Sequence, residues 1–410
     1  MSPTSNACAT AMLFTGFLLL LATSALGQSE PRVDAGPGGF ALSSGDGDWR
    51  LRLRGLVHFD GRAFADDSAP DDDSEWLLRR VRPSLEGEFG DRISFRIMPD
   101  FGSGTTTLID AYIDARLRGG LQLRAGKFKP PVGLERLQSG SDLRLVERSV
   151  VTDLLPNRDL GVQLSSAGRV NWAIGLFNGV ADGRSGDQDD DGNQEVAGRL
   201  FVQPLGNGGM QLGVGIGASY GKTEGQPLIP LLSSYRSPGQ NAAFLYRLGT
   251  DGTFADGDRT RVSPQFYWYG GPLGLLGEWA SVSQDVRRTG DTFDRSERLR
   301  HDAWQLTGEW FVTGETAGYR DPAEVGAVQL VARFSRLEID DAAFAGGDTS
   351  FAYPAIAASA ADTWAVGVNW FPLAGIKASL AYHQTSFDGG SPSGDRRDEK
   401  VLFLRSQLRF

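Results

Sequence analysis

Apolar and polar residues alternate with period two from Trp49 to the end of this 410-residue chain. In the segment 49–62 one face is apolar and the other is polar or charged; the apolar set is Trp49, Leu51, Leu53, Val57 and Phe59, and the polar set is Arg50, Arg52, Arg54, His58, Asp60 and Arg62. Successive side chains of a β-strand point to opposite faces, so the pattern predicts a strand. A single strand of this kind fits either a soluble sandwich or a membrane barrel.

The number and length of these segments favour a membrane barrel. About sixteen segments alternate in this way, near 49–62, 76–89, 91–101, 108–118, 120–128, 158–166, 169–178, 195–204, 210–220, 258–270, 272–286, 298–313, 325–338, 361–372, 374–387 and 397–410. Most are ~9–14 residues long, which exceeds the usual ~5–6 residues of soluble sheets and suffices to cross a membrane at a tilt.

The connections between the segments alternate in length. Tight turns follow every second segment, and long polar loops lie between them near 63–75, 129–157, 179–194, 221–257, 287–297, 339–360 and 388–396; the connection at 314–324 is longer than the other turns. Short turns on one side and long loops on the other are typical of outer-membrane barrels. We therefore predict an all-β fold, a transmembrane antiparallel β-barrel of about 16 strands over residues 49–410, preceded by a short N-terminal segment at 28–48.

Aromatic residues support this fold. Six tryptophans lie at or near predicted strand ends on the apolar face, as in the aromatic girdles of membrane barrels; they are Trp268, Trp279, Trp304, Trp310, Trp364 and Trp370. An ordinary protein core is the alternative place for them. The last segment carries Leu402, Leu404, Leu408 and Phe410 on one face, and this ending resembles the signal by which barrels are recognised for assembly.

The N-terminus has the pattern of a secretory leader. Residues 12–22 form an apolar run that is too short to span a bilayer as a helix, and small residues around Ala25 and Gly27 suit a cleavage site. We expect a signal peptide over residues 1–27, although the first eleven residues lack Lys and Arg, which leaves a misplaced start or a buried segment as alternatives. Cys8 is the only cysteine and lies in this leader, so we expect no disulfide in the mature chain.

Motifs for catalysis or metal binding are weak. The three histidines, His58, His301 and His383, stand alone on separate segments without ligand spacing, and no GxSxG or phosphate-loop motif occurs. Asp187, Asp189 and Asp191 fit the start of a calcium loop, but the twelfth position is Gly198 and not Glu. We therefore expect a solvated acidic loop, no catalytic residues, no metal, no cofactor and no nucleic-acid partner.

The distribution of charge matters more than the net charge of −10. Acidic residues cluster in the predicted loops, whereas arginines dominate the polar face of the early strands, at Arg50, Arg52, Arg54, Arg80, Arg82, Arg116, Arg118 and Arg124. Glu86, Glu88, Asp110 and Asp114 could balance them, which is the alternative to a cationic lumen. The loop after the fifth strand carries hydrophobic residues such as Leu143 and Leu154, so we expect it to fold inward and narrow the lumen.

These segments resemble the phosphate-selective porins O and P over nearly the whole mature chain. The resemblance rests on residues 78–80, 109–112, 126–136, 143–148, 306–309, 367–370 and 408–410. It implies a trimeric sixteen-stranded anion channel whose paired arginines fall on Arg79 and Arg80, whose loop cation falls on Arg136 and whose nearby acid falls on Asp110. The arginine of the family's first strand falls on Leu56, two residues from Arg54, so this part of the site differs.

Together these features predict a passive pore in the outer membrane of a Gram-negative bacterium. We expect it to prefer small inorganic anions, with phosphate as the candidate, and to use Arg54, Arg79, Arg80, Arg82, Asp110 and Arg136. Guanidinium groups suit this task because they bind phosphate oxygens bidentately. Simple alternation places Arg79 and Arg80 on opposite faces, so both reach the lumen only if a β-bulge intervenes. A general or cation-preferring porin and a structural or adhesive barrel with a closed lumen are the alternatives.

Overall fold

The computed structural model describes residues 30–36, 38–65, 74–206, 209–322 and 324–410. The predicted signal peptide, the acidic residues at 66–73 and part of the turn at 207–208 lie outside the described residues. Among those that are described, no helix has the length and apolar character needed to cross a membrane.

Sixteen antiparallel strands form one closed sheet. They are β1 (Trp49–Ala65), β2 (Glu75–Phe89), β3 (Ile93–Asp100), β4 (Thr107–Arg116), β5 (Leu121–Phe128), β6 (Asp159–Ser166), β7 (Val170–Phe177), β8 (Glu195–Leu205), β9 (Met210–Glu224), β10 (Thr253–Gly270), β11 (Leu273–Gly290), β12 (Phe293–Phe311), β13 (Val328–Glu338), β14 (Ala358–Leu373), β15 (Ile376–Ser391) and β16 (Glu399–Arg409). The last strand pairs with the first, from Lys400 opposite Ala65 to Arg409 opposite Leu56. This pairing closes the barrel, and the predicted sixteen strands are confirmed.

Alternate residues of each strand face the outside and the inside of the barrel wall, as the period-two pattern predicts. In β16, Leu402 and Leu404 point outward and are each 45% exposed, whereas Phe403 and Arg405 point inward and are each 2% exposed. The outward tryptophans Trp304, Trp310, Trp364 and Trp370 are likewise exposed. A face of this kind suits lipid, because apolar side chains cover it and each strand of the closed wall pairs with a neighbour on both sides.

Two features of the connections differ from the sequence prediction. The prediction of a long loop at 287–297 is wrong. Strand β11 continues to Gly290 and β12 begins at Phe293, so that the two strands form a long protruding hairpin. The connection between β12 and β13 lies on the side of the short turns but spans residues 312–327. It folds inward, with Ala317 and Ala327 each at most 1% exposed.

The N-terminal segment forms a hairpin that the sequence pattern did not predict. Strand Arg32–Gly36 pairs with strand Gly39–Ser43, and the latter pairs with the start of β1, where Phe40 lies opposite Leu53. The hairpin therefore continues the sheet at the turn side, beyond the point where β16 ends.

The barrel wall is lower on one side than on the other. Strands β3 to β7 contain eight to ten residues, whereas β10 to β12 contain 18 or 19. Eight residues at ~3.3 Å each reach about 19 Å along the membrane normal at a tilt of ~45°, which is less than the apolar band of about 25 Å in such barrels. The low side exposes Ile97, Ile113, Leu123, Val162 and Ile174.

Closure of the barrel can be tested with introduced cysteines. Phe59 and Ser406 are register partners on β1 and β16, and Cys8 is the only native cysteine. We expect a short bifunctional thiol reagent to link Phe59→Cys to Ser406→Cys and thereby to form a circular chain, which keeps an altered electrophoretic mobility after boiling. The Ser406→Cys single variant is the control, and an unaltered mobility of the double variant would contradict the closed register.

Candidate lumen site

The long segment 129–158, which we call the lumen loop, is among the most buried parts of the protein. It contains a short helix, Leu134–Leu137, and 3-10 turns at Gly140–Asp142 and Val150–Leu154. Val132, Leu134, Val151, Leu154 and Leu155 are each 0% exposed. A loop with this many apolar side chains lowers its free energy by packing them and not by remaining in water.

Side chains of the far wall fix the backbone of the lumen loop. Lys377 of β15 donates to the Ser141 carbonyl oxygen at 2.9 Å, and Arg405 of β16 donates to the Val146 carbonyl oxygen at 2.6 Å. Similar bonds reach the carbonyl oxygens of Leu143 from Lys377, Arg144 from Asn369 and Glu147 from Arg333. These bonds satisfy carbonyl groups that the loop would otherwise bury unpaired, so they fix its course.

The near end of the lumen loop is held against β9 to β11. Glu278 accepts hydrogen bonds from the backbone N–H groups of Leu134 and Glu135 at 2.7 and 3.0 Å. Gly217 of β9 faces the Val132 carbonyl oxygen so closely that any Cβ atom at this position would overlap it. Glycine at this wall position therefore provides the space into which the loop fits.

The inward connection 312–327 meets the lumen loop from the turn side. The Tyr319 hydroxyl donates to the Leu134 carbonyl oxygen at 2.6 Å, and Gln138 donates to the Tyr319 carbonyl oxygen at 2.8 Å. Asp321 pairs with Arg144 of the loop at 3.0 Å and with Lys377 of the wall at 2.6 Å. The loop is therefore anchored on three sides, by the far wall, the near wall and this connection.

A β-bulge brings both Arg79 and Arg80 to the lumen. His58 of β1 lies opposite Arg80, and the next residue, Phe59, lies opposite Leu78, so that Arg79 has no partner residue on β1. Leu78 is 51% exposed on the outer face, whereas Arg80 is 4% exposed. This is the condition under which the sequence allowed both arginines to face inward.

Three arginines of the lumen are paired with carboxylates. Arg79 binds Glu147 of the loop through Nε at 2.6 Å, and Arg82 binds Asp100 through Nε at 2.7 Å. Arg158, at the end of the loop, binds Asp110 through Nε at 2.9 Å. Each pair retains a local dipole but cancels most of its net charge.

Four further cations form no salt bridge with any carboxylate of the described residues. Arg80 donates to His58, Arg136 donates to the Thr152 carbonyl oxygen, and Arg148 and Lys129 donate to carbonyl oxygens of the loop. Burial, and then neighbouring cations, lower the pKa of Arg148 to about 9, and burial lowers that of Arg136 to about 10. Both remain charged at neutral pH, because desolvation disfavours the charged form but does not remove it here.

These groups line two cavities that meet at Arg82 and Arg158. The loop-side cavity, of about 320 Å³, is lined by eight arginines and three carboxylates: Arg79, Arg80, Arg82, Arg136, Arg148, Arg158, Arg184 and Arg236 against Glu147, Asp153 and Asp182. The turn-side cavity, of about 690 Å³, has a mixed lining that includes Arg54, Leu56, Asp110, Tyr112 and Tyr319. The loop-side cavity therefore has an excess of positive charge.

All six residues selected from the sequence line one or both cavities. Arg79, Arg80 and Arg136 lie in the loop-side cavity, Arg54 and Asp110 lie in the turn-side cavity, and Arg82 lies in both. The Arg54 side chain is more exposed than those of Arg79 and Arg82, at 42% against 24% and 13%, and lies 3.6 Å from Glu86. Leu56 faces the turn-side cavity beside its cross-strand neighbour Arg82.

The sequence prediction missed eight cations of these cavities, of which Arg96, Arg320 and Arg409 line the turn-side cavity. Arg148, Arg158, Arg184, Arg236 and Lys129 come from loops or loop ends, where period-two alternation gives no side-chain direction. Only the position of Arg148 and Arg158 within the inward-folding loop could have signalled them.

Two of the three histidines, His58 and His301, and the acidic loop have hydrogen-bond or ion-pair partners, whereas neither ring nitrogen of His383 has a hydrogen-bond partner among the described residues. His301 contacts the Tyr246 hydroxyl at 2.7 Å, Asp187 pairs with Lys127, and Glu195 is buried between Arg259 and Arg261. Within the described part of the chain, no three His, Cys, Asp or Glu side chains converge in a way that could hold a metal ion.

Comparison with known families gives a clear assignment. The model of the family described as phosphate-selective porin O and P matches residues 51–410. The chain belongs to this family. The porin is thus an outer-membrane pore of a Gram-negative bacterium, in agreement with its barrel fold.

Three proteins with a similar sequence or fold share less than a quarter of their aligned residues with this porin. An uncharacterised protein of Caulobacter vibrioides (strain ATCC 19089 / CIP 103742 / CB 15) is 23% identical over 345 residues, and the match covers 78% of this porin but only 65% of that protein. The outer membrane channel DcaP of Acinetobacter baumannii has a TM-score of 0.57 at 12% identity, covering 88% of this chain and 97% of that one. The anion-selective porin from Comamonas acidovorans has a TM-score of 0.57 at 11% identity, covering 88% and 100%.

The anchor of the lumen loop at Asp321 can be tested by substitution. Asp321→Ala leaves Arg144 and Lys377 with one fewer buried partner, and breaking a buried pair lowers the free energy of unfolding by about 3–5 kcal/mol. We expect a destabilised barrel in denaturant titrations and larger open-channel current noise, because the loop is held less firmly. Glu324→Gln, at an exposed position of the same connection, is the control; noise equal to wild type in Asp321→Ala would contradict the anchoring role.

Proposed function

We propose that this outer-membrane pore prefers anions and binds small inorganic oxyanions, phosphate among them, in the loop-side cavity. The excess of arginines over carboxylates in that cavity carries the proposal. A narrow, partly desolvated space strengthens the attraction between such groups and an anion, since the solvent screens it less than at an open surface. Arg82 and Arg158, which line both cavities, would pass the anion from one to the other.

The pairing of charges separates two roles among the arginines. Arg79, Arg82 and Arg158 keep their carboxylate partners and shape the cavity. Arg80, Arg136 and Arg148 form no salt bridge with a described carboxylate, so they supply most of the net attraction. Several moderate contacts of this kind favour passage, because an anion that bound too tightly would block the pore.

A barrel with a closed lumen is the second candidate. The aromatic side chains Phe244, Tyr246 and Phe351 of the loops between β9 and β10 and between β13 and β14 are at most 4% exposed, so these loops also pack inward. Absence of any single-channel current from a folded sample would favour a structural barrel over a pore.

We also propose that three copies assemble. The low side of the wall is too short for the apolar band and carries exposed isoleucines, so a neighbouring copy would shield it from lipid. The family resemblance implies a trimer, and OmpT of Vibrio cholerae, whose TM-score to this chain is 0.51 at 10% identity, has been solved in a trimer form.

The oligomeric state can be measured by light scattering in mild detergent. We expect the mass of a trimer for wild type and of a monomer for Ile113→Asp, because the substitution places a charge on the low side of the wall. Val368→Asp, on the outer face of β14, should leave the trimer intact. A monomeric wild type would refute the assembly.

Anion binding can be measured as phosphate block of chloride current in a planar bilayer. A charge-assisted hydrogen bond contributes ~1.5–3 kcal/mol, so Arg80→Ala and Arg136→Ala should each weaken the block about tenfold or more. Arg287→Ala is the control, since Arg287 lies on the protruding hairpin and pairs with Asp294. Leu56→Arg should strengthen the block by adding a guanidinium beside Arg82. If wild type prefers cations, or if phosphate block is unchanged in both alanine variants, the proposed anion site is refuted and only the assignment as a pore remains.

The anion preference should also depend on pH through Asp153. Burial raises the pKa of this loop carboxyl to about 6, against the opposing effects of Arg136 and Arg236 and with a supporting one from Glu147. Below that pH Asp153 is neutral and the loop-side cavity loses one negative charge. The reversal potential in a salt gradient should therefore shift toward stronger anion preference between pH 7 and pH 5. The reversal potential of Asp153→Asn should be the same at both pH values and equal to that of wild type at pH 5. If this variant shows the same pH-dependent shift as wild type, Asp153 is not the cause.

A further inference from the structure

Arg80 is held in the lumen by a single side chain. Its guanidinium contacts the Nδ1 atom of His58 at 3.1 Å, across the β1–β2 pair. Both residues are buried, with His58 at 0% and Arg80 at 4% exposure, and Arg80 Nε has no hydrogen-bond partner among the described residues. Among the residues that the structure describes, the hydrogen-bond partner of this cation is therefore an imidazole ring.

The neighbouring hydrogen bonds determine which form this imidazole takes. An arginine can only donate, so His58 Nδ1 must accept and carries no proton. His58 Nε2 then donates to Gln407 Oε1 at 2.8 Å, and Gln407 Nε2 donates to the Ser141 carbonyl oxygen of the lumen loop at 3.1 Å. The chain of bonds requires neutral His58 and connects β2, β1, β16 and the lumen loop.

Two acidic side chains of the neighbourhood, Asp60 and Glu147, are already engaged by other arginines. Asp60, two residues from His58 on the same face of β1, binds Arg405 through both of its oxygens. Glu147 binds Arg79 through both of its oxygens. Elsewhere in the lumen, Arg124 also has a bidentate carboxylate partner, Asp114. Arg80 thus differs from these arginines because its partner is uncharged.

We propose that His58 is a positioning residue that orients Arg80 with an uncharged acceptor, so that the cation keeps its full charge toward the loop-side cavity. The inference rests on the proposed function, because Arg80 is there a part of the anion site. A carboxylate at the same position would hold the guanidinium equally well but would cancel its charge. The identity of residue 58 therefore sets the strength of anion binding without contact between this residue and the anion.

Three substitutions of His58 distinguish the effect of its hydrogen-bond acceptor on anion binding from the effect of a charge at the same position. His58→Gln keeps a neutral acceptor, His58→Leu removes the acceptor, and His58→Glu supplies a charged one of nearly the same shape as Gln. We expect phosphate block of chloride current to remain within about threefold of wild type for His58→Gln. The block should weaken about tenfold for His58→Glu, as for Arg80→Ala, and by an intermediate factor for His58→Leu. All variants are first checked for the mobility shift of a folded barrel between unheated and boiled samples.

The Arg80→Ala background provides the matched control. Without a guanidinium to orient, His58→Gln and His58→Leu should bind phosphate equally. A difference between them that persists in this background, or a His58→Glu variant that binds like wild type, would overturn the positioning role. If wild type shows no saturable block, the proposed anion site fails by itself. The anion-to-cation permeability ratio then still tests His58, since it must be lower for His58→Glu than for His58→Gln.

Discussion

The closure of β16 onto β1 is the constraint on which the rest of this structure depends. In lipid, an unpaired backbone N–H or carbonyl group costs several kcal/mol, so a spanning sheet must have no free edge. The ladder from Lys400 and Ala65 to Arg409 and Leu56 removes the last edge. Closure also separates two environments with opposite demands, an outer face that must be apolar and an inner face that can hold charge. The polar half of every alternating strand is thereby collected around one enclosed space.

Charge in that enclosed space is governed by pairing and not by the total for the chain. A protein with a net charge of −10 can carry a cationic cavity, because its acids are engaged by particular arginines or lie in the loops. Glu147 and Asp60 show the principle, since each holds an arginine through both carboxylate oxygens. Arg80, held by a neutral histidine, and Arg136, held by a carbonyl oxygen, form no salt bridge with a carboxylate of the described residues. Because burial makes each unpaired charge costly, these exceptions are the groups from which an anion site can be built.

Sequence reasoning succeeded where a local rule applied and failed where the chain departs from it. The alternating segments predicted all sixteen barrel strands because side-chain direction in a strand depends only on position. The hairpin at Gly290 and Phe293 was missed, since its strands continue beyond the membrane with polar residues on both faces. The prediction that both Arg79 and Arg80 face the lumen required a β-bulge. The structure has this bulge, because His58 lies opposite Arg80 while Phe59 lies opposite Leu78. In the sequence, only the unusual length of the connection 312–327 distinguished it from the other turns, and nothing indicated that it folds inward.

The sequence by itself determined the fold class, the number of strands and the face on which each strand residue lies, because these follow from a repeat of two residues and from the solvent that each face meets. Only the tertiary structure decided which charges meet. Asp60 and Arg405 are partners although they lie at opposite ends of the chain, and they meet because the barrel closes. Asp321 reaches Arg144 because a turn folds inward and not outward. Such pairings depend on the course of loops through a shared interior, where no local period constrains the chain. The residues of the proposed anion site could therefore be selected from the sequence, but the charge balance of the cavity could not.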